Sequence, residues 1–300
     1  MGDLITILIP TYNRARALQA VWPSYLQDGN VKQIIIVNDG STDNTHSLVQ
    51  ELQRASPLPV ELIEHSQKRG QQQSRQIAIA AADTEWVLFG EDDVYLGEGY
   101  IGTLLEQAQQ LNADIIAGRL VTALVPDKFS LDCLRDVPSG ATDSIFDFTC
   151  FEADFAARTS QPIPAPFLHT IALIRRSIFD KIAFDPWYRG NAHREETDFY
   201  LMANVKGFCV FFTPGAVCFH LRGPISASGG QRINRIAVEY WHFVNTRHML
   251  EKNWPYLQRR YGFKGSVTTW MLGYLMRRQH SHVQRLLRTG YKSTFQGKIR

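Results

Sequence analysis

Three adjacent carboxylates at residues 91–93 are the group in this sequence best suited to bind a cation. Glu91, Asp92 and Asp93 follow Gly90 at the end of an apolar run, residues 86–89, which predicts a buried strand. Neighbouring carboxylates repel one another, so the group is costly without a cation or hydrogen-bond donors. Hard oxygen atoms suit Mg²⁺ or Mn²⁺, which take one or two carboxylates together with substrate phosphates. The cluster favours a metal site for a phosphate-bearing ligand; the alternative is a solvated acidic turn.

A second acidic group lies in the later part of the chain. Glu195, Glu196 and Asp198 open a predicted helix over residues 193–203. A carboxylate placed there could take a proton as a general base. Acidic side chains at the start of a helix also interact favourably with its dipole, with no catalytic part. The residues alone leave both interpretations open.

The elements that must position these groups alternate between strands and helices. That alternation predicts an α/β fold, a mostly parallel sheet flanked by helices on both faces, in which ligands bind beyond the carboxyl ends of the strands. Residues 10–13, 38–40 and 91–93 each follow a predicted strand, so we expect these polar segments to meet at one edge. The predicted strands cover residues 4–9, 34–37, 60–63 and 86–89, and the predicted helices cover residues 13–27, 41–53 (capped by Ser41 or Thr42) and 72–82.

The pattern weakens over residues 127–166, where many turn residues indicate an irregular insertion or a substrate loop. We divide the chain into residues 1–125, residues 126–233 of the same domain, and a helical C-terminal extension, 234–300. The remaining predicted elements are a strand over 170–175, a short helix from Arg176, the helix 193–203 and a strand over 210–219 interrupted by Pro214 and Gly215.

The composition and the absence of targeting patterns indicate where in the cell we expect the protein. The 300 residues carry a net charge of +3, which is too weak to favour a nucleic-acid partner. The four cysteines show no CxxC spacing and indicate reduced thiols. We see no signal-peptide pattern and no apolar stretch near the roughly 20 residues that span a bilayer. We expect a cytoplasmic protein, at most peripheral at the inner face of the membrane.

Three motifs in chain order produce a specific resemblance. They are residues 9–14 (IPTYNR), 37–43 (VNDGSTD) and 89–93 (FGEDD). Together they resemble the family-2 glycosyltransferases of the GT-A fold. The resemblance implies a Rossmann-like sheet, inverting transfer from a nucleotide-diphosphate sugar, most often a UDP-sugar, and a DXD-type motif that binds Mn²⁺ or Mg²⁺. It also makes residues 1–125 the nucleotide-sugar-binding half and residues 126–233 the acceptor-binding half.

The same resemblance implies roles in donor binding. Asp39 corresponds to the family aspartate that hydrogen-bonds the donor base, and Arg75 to an arginine near the nucleotide. Gln76 departs from the asparagine usual in the family, and Arg75 could instead be a surface residue. The implied nucleotide-sugar-binding residues are Pro10, Thr11, Tyr12, Asn13, Arg14, Asp39, Gly40, Arg75, Glu91 and Asp92.

The resemblance further implies a metal set. Asp93 corresponds to the direct metal ligand, and Asp92 is expected near the ribose or the metal. Glu91 departs from the aspartate usual at its position. His220 is a further metal candidate, because histidine suits Mn²⁺ better than Mg²⁺, and its alternative is a structural histidine.

On the acceptor side, the resemblance makes Glu196 the catalytic base, with Glu195 as its competitor. An inverting transfer needs one carboxylate to take the proton of the acceptor hydroxyl, while the metal replaces a general acid at the leaving diphosphate. His169, Trp187 and Arg194 are the expected acceptor-binding residues.

The expected partners are a nucleotide sugar and a glycan or lipid-linked acceptor in polysaccharide or glycoconjugate synthesis. Two alternatives are transfer to a polyprenyl phosphate, where the base would matter less, and a non-catalytic nucleotide-binding protein. Near the C-terminus, an apolar stripe that includes Trp270 lies beside basic residues, which suits an anionic membrane surface, a packed helix or a homo-oligomer interface. Those basic residues are Arg277, Arg278, Arg285 and Arg288.

Overall fold

The chain folds around a mixed sheet with flanking helices, seen in a computed structural model that describes residues 4–136, 142, 144–229 and 234–278. The strands are β1 (Ile5–Thr11), β2 (Val31–Asn38), β3 (Val60–Glu64), β4 (Trp86–Phe89), β5 (Val94–Leu96), β6 (Ile115–Leu124), β7 (Phe146–Asp147), β8 (Glu152–Ala153), β9 (Ile163–Pro164), β10 (Ala172–Arg175) and β11 (Val210–Arg222). The helices are α1 (Ala15–Val21), α2 (Thr45–Ala55), α3 (Gln71–Ala81), α4 (Tyr100–Leu111), α5 (Glu195–Val205), α6 (Arg235–Tyr261) and α7 (residues 267–278). Shorter 3₁₀ turns cover Trp22–Leu26, Leu131–Cys133, Arg176–Asp180 and Pro224–Ser226.

The central sheet has the strand order β3-β2-β1-β4-β10-β6-β11-β5, and β9 pairs with β11. The strands β3, β2, β1 and β4 are parallel neighbours, as are β6 and β11. The strand β10 runs antiparallel between β4 and β6. Side chains on both faces of β1 are buried, as expected for a central strand covered on each side. The predicted α/β sheet is confirmed.

Strand register brings the predicted polar segments to one edge. Thr11 at the end of β1 pairs with Asn38 at the end of β2. Phe89 at the end of β4 pairs with Leu8 of β1, and the next residue, Gly90, donates its N–H to the Leu8 carbonyl at 2.8 Å. Because these strands are parallel, the chain leaves each of them at the same edge of the sheet.

Two local predictions for the first helices were wrong. The predicted helix 13–27 is α1 followed by the 3₁₀ turn Trp22–Leu26, because Pro23 lacks the N–H that an α-helix needs. Helix α2 is not capped by Ser41 or Thr42. Its N-cap residue is Asn44, and Asp43 Oδ1 accepts the Thr45 N–H at 3.0 Å.

The prediction also assigned no element between residues 94 and 124, where β5, α4 and β6 lie. The described residues of the segment 127–166 are largely irregular, as predicted. Strand β11 continues through Pro214 and Gly215, with a register shift against β6 between Phe212 and Val217. The shift matches the predicted interruption, since proline cannot donate to the ladder.

Two compact units make up the fold. The first comprises Met1–Ile145 and Phe155–Met249 and contains the central sheet. The second comprises Phe146–Asp154 and Leu250–Arg300 and contains the β7–β8 hairpin. Aromatic rings pack within the second unit, where Phe148 lies 4.5 Å from Tyr261 between ring centroids. The predicted functional halves, 1–125 and 126–233, and the extension 234–300 stay a prediction.

Arg119 of β6 ties the irregular segment to the sheet. Its side chain is 1% exposed, and its two terminal nitrogens donate to Asp136 at 2.7 and 2.8 Å. It also donates to the carbonyls of Ala156 and Ala157. The hydrogen bond from Arg119 lowers the pKa of Asp136 to about 2.

We expect D136N to destabilise the protein by about 2 kcal/mol, because the buried Arg119 loses a charged acceptor. The folded pKa of Asp136 lies below its ordinary value of 3.8, so this contribution is present above about pH 4 and is lost as the pH falls through about 2. Urea denaturation at neutral and acidic pH measures both effects. D83N, which removes an exposed partner of Lys32, is the control and should change little; equal losses in the two variants would contradict the buried role of Arg119.

Candidate functional site

The acidic turn after β4 is held by backbone contacts on both sides. The Tyr25 hydroxyl donates to the Glu91 carbonyl at 2.8 Å, and the Leu221 N–H donates to the Asp93 carbonyl at 2.8 Å. A Cβ added at Gly90 would lie 3.0 Å from Ile9 and 3.1 Å from Tyr25, so the close packing favours glycine there. The turn therefore presents its carboxylates in a defined position.

The three carboxylates have different partners. Asp92 Oδ2 accepts the Thr11 hydroxyl at 2.8 Å. Asp93 Oδ2 is paired with Arg14 and lies 3.5 Å from His220 Nε2. Glu91 Oε1 lies 3.5 Å from Arg75 Nη2 and 3.2 Å from Gln71 Nε2. Each carboxylate thus faces at least one donor, and Arg14 is shared between Asp92 and Asp93, which reduces the mutual repulsion of the carboxylates.

The pKa values of the two aspartates shift in opposite directions. Burial, followed by the charge of Asp93, raises the pKa of Asp92 to about 8. Burial also acts to raise the pKa of Asp93, but the hydrogen bond and charge of His220, together with Arg14, outweigh it and hold that pKa below its usual range. The turn therefore concentrates its negative charge on Asp93.

The donor set fits a divalent cation that shares its coordination with a ligand. Among the described residues, no three His, Cys, Asp or Glu side chains are arranged to hold a metal by themselves. Asp93 and His220 nevertheless offer an oxygen and a nitrogen on one side of the turn, with Asp92 adjacent. Mg²⁺ and Mn²⁺ sites often use one or two carboxylates and complete their shell with phosphate oxygens and water. These residues therefore fit a metal ion whose remaining coordination positions are filled by a diphosphate.

A cavity of about 230 Å³ opens beside the acidic turn. It brings together residues from the three polar segments, from the start of α3 and from the end of β11. Its lining residues are Pro10, Thr11, Tyr12, Arg14, Asp39, Lys68, Gln71, Ser74, Glu91, Asp92, Asp93, His220 and Arg222.

Asp39 lies in the cavity wall and holds the loop that precedes α3. Its carboxylate accepts the N–H groups of Arg69 at 2.7 Å and Gly70 at 2.8 Å, and it pairs with His65 Nδ1 at 2.8 Å. A carboxylate offers about four acceptor positions, so one position remains for a ligand donor. At Gly40, φ is +72° and an added Cβ would lie 2.6 Å from the Gln67 backbone, so this residue must be glycine.

Asn13 acts as a strut between loops and does not line the cavity. It adopts a left-handed conformation with φ of 52°. Its Oδ1 accepts the Thr42 N–H at 2.7 Å, and its own N–H donates to Ser41 Oγ at 2.9 Å. The Ser228 hydroxyl donates to its carbonyl at 3.1 Å. Asn13 therefore has a structural role in these loops, and its expected nucleotide contact stays a prediction.

Arg75 lies fully buried among three glutamates. Its Nη1 lies 3.0 Å from Glu196 Oε1 and 3.7 Å from Glu195 Oε1, and its Nη2 lies 3.5 Å from Glu91 Oε1. It is not an exposed surface residue, and the cavity lining includes its neighbour Ser74 rather than Arg75 itself. One guanidinium thus connects the acidic turn with the second acidic group.

The two glutamates at the start of α5 differ in access. The Glu195 side chain is 2% exposed, and burial raises its pKa to about 8 against the opposing charge of Arg75. The Glu196 side chain is 29% exposed, and its Oε1 accepts the Thr170 hydroxyl at 3.1 Å. Access favours Glu196 for contact with a substrate.

The loop that leads into α5 is strained and is held by α6. Gly190, Ala192 and Arg194 all have positive φ. A Cβ added at Gly190 would fall within the ring of Trp241. Asn245 Nδ2 donates to the Arg189 carbonyl at 3.1 Å, which fixes the same loop from a second point. Trp241 and Asn245 of α6 therefore help to fix the backbone position at which α5, with Glu195 and Glu196, starts.

The structure separates the three expected acceptor-binding residues. His169 is 8% exposed; its Nε2 pairs with the Gly118 carbonyl, its Nδ1 accepts the Ile171 N–H, and burial lowers its pKa to about 4. Arg194 is 7% exposed and its Nε reaches Thr246. Both side chains are largely buried, and their acceptor-binding role stays a prediction. Trp187 is 39% exposed and is stacked on a neighbouring histidine ring, so it alone of the three offers an open face.

Four site residues were missed by the sequence analysis: Lys68, Gln71 and Ser74 in the cavity, and Thr170 on Glu196. The spacing of Gln71, Ser74 and Arg75 places them on one face of a helix, so this signal could have found the first two. No pattern in the sequence singles out Lys68 or Thr170, because their positions depend on distant segments.

The described part of the C-terminal segment is partly packed. In α7, Tyr274 is 2% exposed, whereas Leu272 and Met276 are 58% and 68% exposed. Arg285 and Arg288 lie outside the described residues. None of the helices in the described ranges is both long enough and apolar enough to cross a bilayer. Peripheral membrane contact and a homo-oligomer stay predictions.

Comparison with known proteins decides the family. The family model described as "Glycosyl transferase family 2" matches residues 6–183. The chain belongs to this family. The resemblance seen in the three sequence motifs is therefore confirmed.

Relatives in the family share part of the chain. The glycosyltransferase GlyG of Streptococcus pneumoniae is 29% identical over 119 residues, which cover 39% of each protein. The GalNAc(5)-diNAcBac-PP-undecaprenol beta-1,3-glucosyltransferase of Campylobacter jejuni is 29% identical over 118 residues, 39% of this chain and 38% of the relative. The chain thus matches about two fifths of the length of these relatives.

Two solved structures share the fold. Residues 1–349 of Staphylococcus aureus TarS superpose with a TM-score of 0.57 at 13% identity, covering 91% of this chain and 70% of TarS. The same protein in complex with UDP superposes with a TM-score of 0.53 at 15% identity, covering 87% and 72%. This likeness confirms the predicted GT-A type architecture.

Burial of Glu195 should make the stability of the protein depend on pH. Its folded pKa, about 8, lies above the ordinary 4.5, so its contribution is fully present below about pH 4.5 and is lost as the pH rises through about 8. We expect E195Q to lose less stability than the wild type between about pH 5.5 and about pH 8.5. Urea denaturation at both pH values measures this, with E61Q on the exposed side of β3 as the control. If the unfolding free energies of E195Q and the wild type change equally with pH, the raised pKa of the buried Glu195 is wrong.

Packing of Trp241 on Gly190 should set the position of Glu196 at the start of α5. G207A is a matched control, because Gly207 also has positive φ but an added Cβ would meet no described atom within 4 Å. We expect G207A to cost about 1 kcal/mol from backbone strain, and G190A about 2 kcal/mol more from overpacking. Thermal unfolding and the kcat of each variant check this. If G190A and G207A behave alike, Trp241 does not hold the loop.

Proposed function

We propose that the protein is an inverting glycosyltransferase that moves a sugar from a UDP-sugar to an acceptor hydroxyl in glycan or polysaccharide biosynthesis. The contact that carries the proposal is Arg75, which lies 3.5 Å from Glu91 of the acidic turn and 3.0 Å from Glu196. The candidate base and the candidate donor site are thus within one guanidinium of each other. A transfer reaction needs donor and base in such proximity.

The donor would bind in the cavity between Asp39 and the acidic turn. Asp39 has one acceptor position left for an N–H of the donor's nucleobase, which suits uracil. Lys68 and Arg222 in the cavity lining supply positive charge for the diphosphate. Asp93 and His220, with Asp92, would hold a Mn²⁺ or Mg²⁺ ion, which when bound neutralises the leaving diphosphate. UDP in the TarS complex supports UDP as the first nucleotide to test.

Glu196 would act as the base. Its carboxylate accepts from Arg75 and Thr170, which hold Oε1 in place, and the side chain remains 29% exposed. During attack it takes the proton of the acceptor hydroxyl on the face opposite the leaving nucleotide, so the anomeric carbon inverts. Glu195 would keep Arg75 and the start of α5 in position. Trp187 offers an open aromatic face for an acceptor sugar.

The names of two relatives indicate the acceptor class. One is the undecaprenol-linked beta-1,3-glucosyltransferase of Campylobacter jejuni. Another, 44% identical over 54 residues, is a dolichyl-phosphate N-acetylglucosaminyltransferase of Methanococcus voltae. We therefore propose a glycan or lipid-linked acceptor, and the second name makes a polyprenyl phosphate the alternative.

The test combines donor binding with base removal. Thermal unfolding with UDP, GDP, CDP and TDP, each with and without Mn²⁺, should show the largest stabilisation with UDP and Mn²⁺ together. E196Q should retain this stabilisation and lose about a hundredfold or more in kcat with a hydroxyl acceptor. E61Q should match the wild type in both measurements. Near-normal turnover of E196Q with a polyprenyl phosphate favours the alternative acceptor, and no nucleotide-dependent stabilisation would overturn the proposal.

A further inference from the structure

The Arg14 side chain lies against the carboxylates of the acidic turn. It follows the end of β1, acts as the N-cap residue of α1 and lines the cavity. Its side chain is 13% exposed, and its Nη1 contacts Asp93 Oδ2 and lies 3.5 Å from Asp92 Oδ1. A guanidinium remains charged at any working pH, so this ion pair does not titrate away.

The oxygen that Arg14 occupies is also the one that faces His220. His220 Nε2 lies 3.5 Å from Asp93 Oδ2. A divalent cation that used Asp93 and His220 together would need this same oxygen. Two positive charges on one carboxylate oxygen repel strongly in a buried site. Arg14 and the cation therefore compete for Asp93.

A diphosphate in the cavity would resolve the competition. Arg14 is part of the cavity lining, so its fork can reach a ligand there. A guanidinium pairs as readily with phosphate oxygens as with a carboxylate. Transfer of Arg14 from Asp93 to a diphosphate frees the carboxylate oxygen and keeps the arginine paired.

We propose, on the basis of the function proposed above, that Arg14 makes divalent-cation binding depend on the nucleoside diphosphate. Asp93 binds the cation weakly while Arg14 is paired with it, and strongly once the diphosphate has taken Arg14. By thermodynamic linkage, the cation strengthens nucleotide binding by the same factor. This coupling would favour binding of the metal and the donor together. Between turnovers, Arg14 would neutralise the charge of Asp93.

A matched pair of variants tests this inference. R14Q removes the competing charge, and R16Q removes a charge two residues away, where Arg16 is 60% exposed and pairs with the exposed Asp127. Binding of Mn²⁺ is measured from the electron paramagnetic resonance signal of the free ion, with and without UDP. We expect R14Q to bind Mn²⁺ alone about tenfold more tightly than the wild type, and UDP to raise its Mn²⁺ affinity about tenfold less. R16Q should match the wild type.

The outcomes separate this inference from the proposed function. If UDP raises Mn²⁺ affinity by the same factor in the wild type and in R14Q, Arg14 does not couple the two ligands, and the proposed function stands. If the wild type binds neither Mn²⁺ nor UDP, alone or together, the proposed function fails and the inference fails with it.

Thermal unfolding provides a second measurement in case R14Q is unstable. Without its counter-ion, the acidic turn of R14Q should gain more stability from Mn²⁺ alone than that of the wild type or R16Q. R14K retains a charge at the same position and should behave closer to the wild type than R14Q does. An equal gain in all four proteins would overturn the inference.

Discussion

Arg75 carries a permanent charge into the interior of the protein, and the candidate site is arranged around it. Glu91, Glu195 and Glu196 surround its guanidinium at 3.0 to 3.7 Å. A buried arginine is tolerated when carboxylates compensate it, and buried carboxylates need a cation in turn. This mutual requirement forces residues from α3, the turn after β4 and the start of α5 to meet. Arg75 therefore links the acidic turn to the start of α5 by ion pairs as well as through the fold.

The sheet supplies the other half of the arrangement. Parallel register places the ends of β1, β2 and β4 side by side, and the loops that follow are then tied together by Asn13 and Asp39. Asn13 connects its own loop to residues 41–43, and Asp39 holds the loop before α3. These connections fix the walls, so that the acidic turn and Arg14 can face one another at short distance.

The start of α5, which carries Glu195 and Glu196, depends on a different kind of support. Positive φ at Ala192 and Arg194 stores strain in the loop before α5, and such strain persists only where packing over-determines the conformation. Trp241 and Asn245 of α6 provide that packing. Membership of glycosyl transferase family 2 rests on residues 6–183, which end before this loop begins. The backbone before Glu196 is thus supported from beyond the family match, whereas Arg75 and Thr170, which hold its carboxylate, lie within the match.

Local pattern was sufficient to predict β1 to β4, the polar segments after them and the two acidic groups, because strand periodicity and turn residues are properties of short stretches. It did not predict the elements between residues 94 and 124, or the structural roles of Asn13 and His169. The tertiary structure alone decided that Glu195 is buried while Glu196 stays accessible, and that Arg75 joins both to Glu91. Burial and ion pairing depend on which distant segments meet, and the spacing of residues along the chain carries no such information.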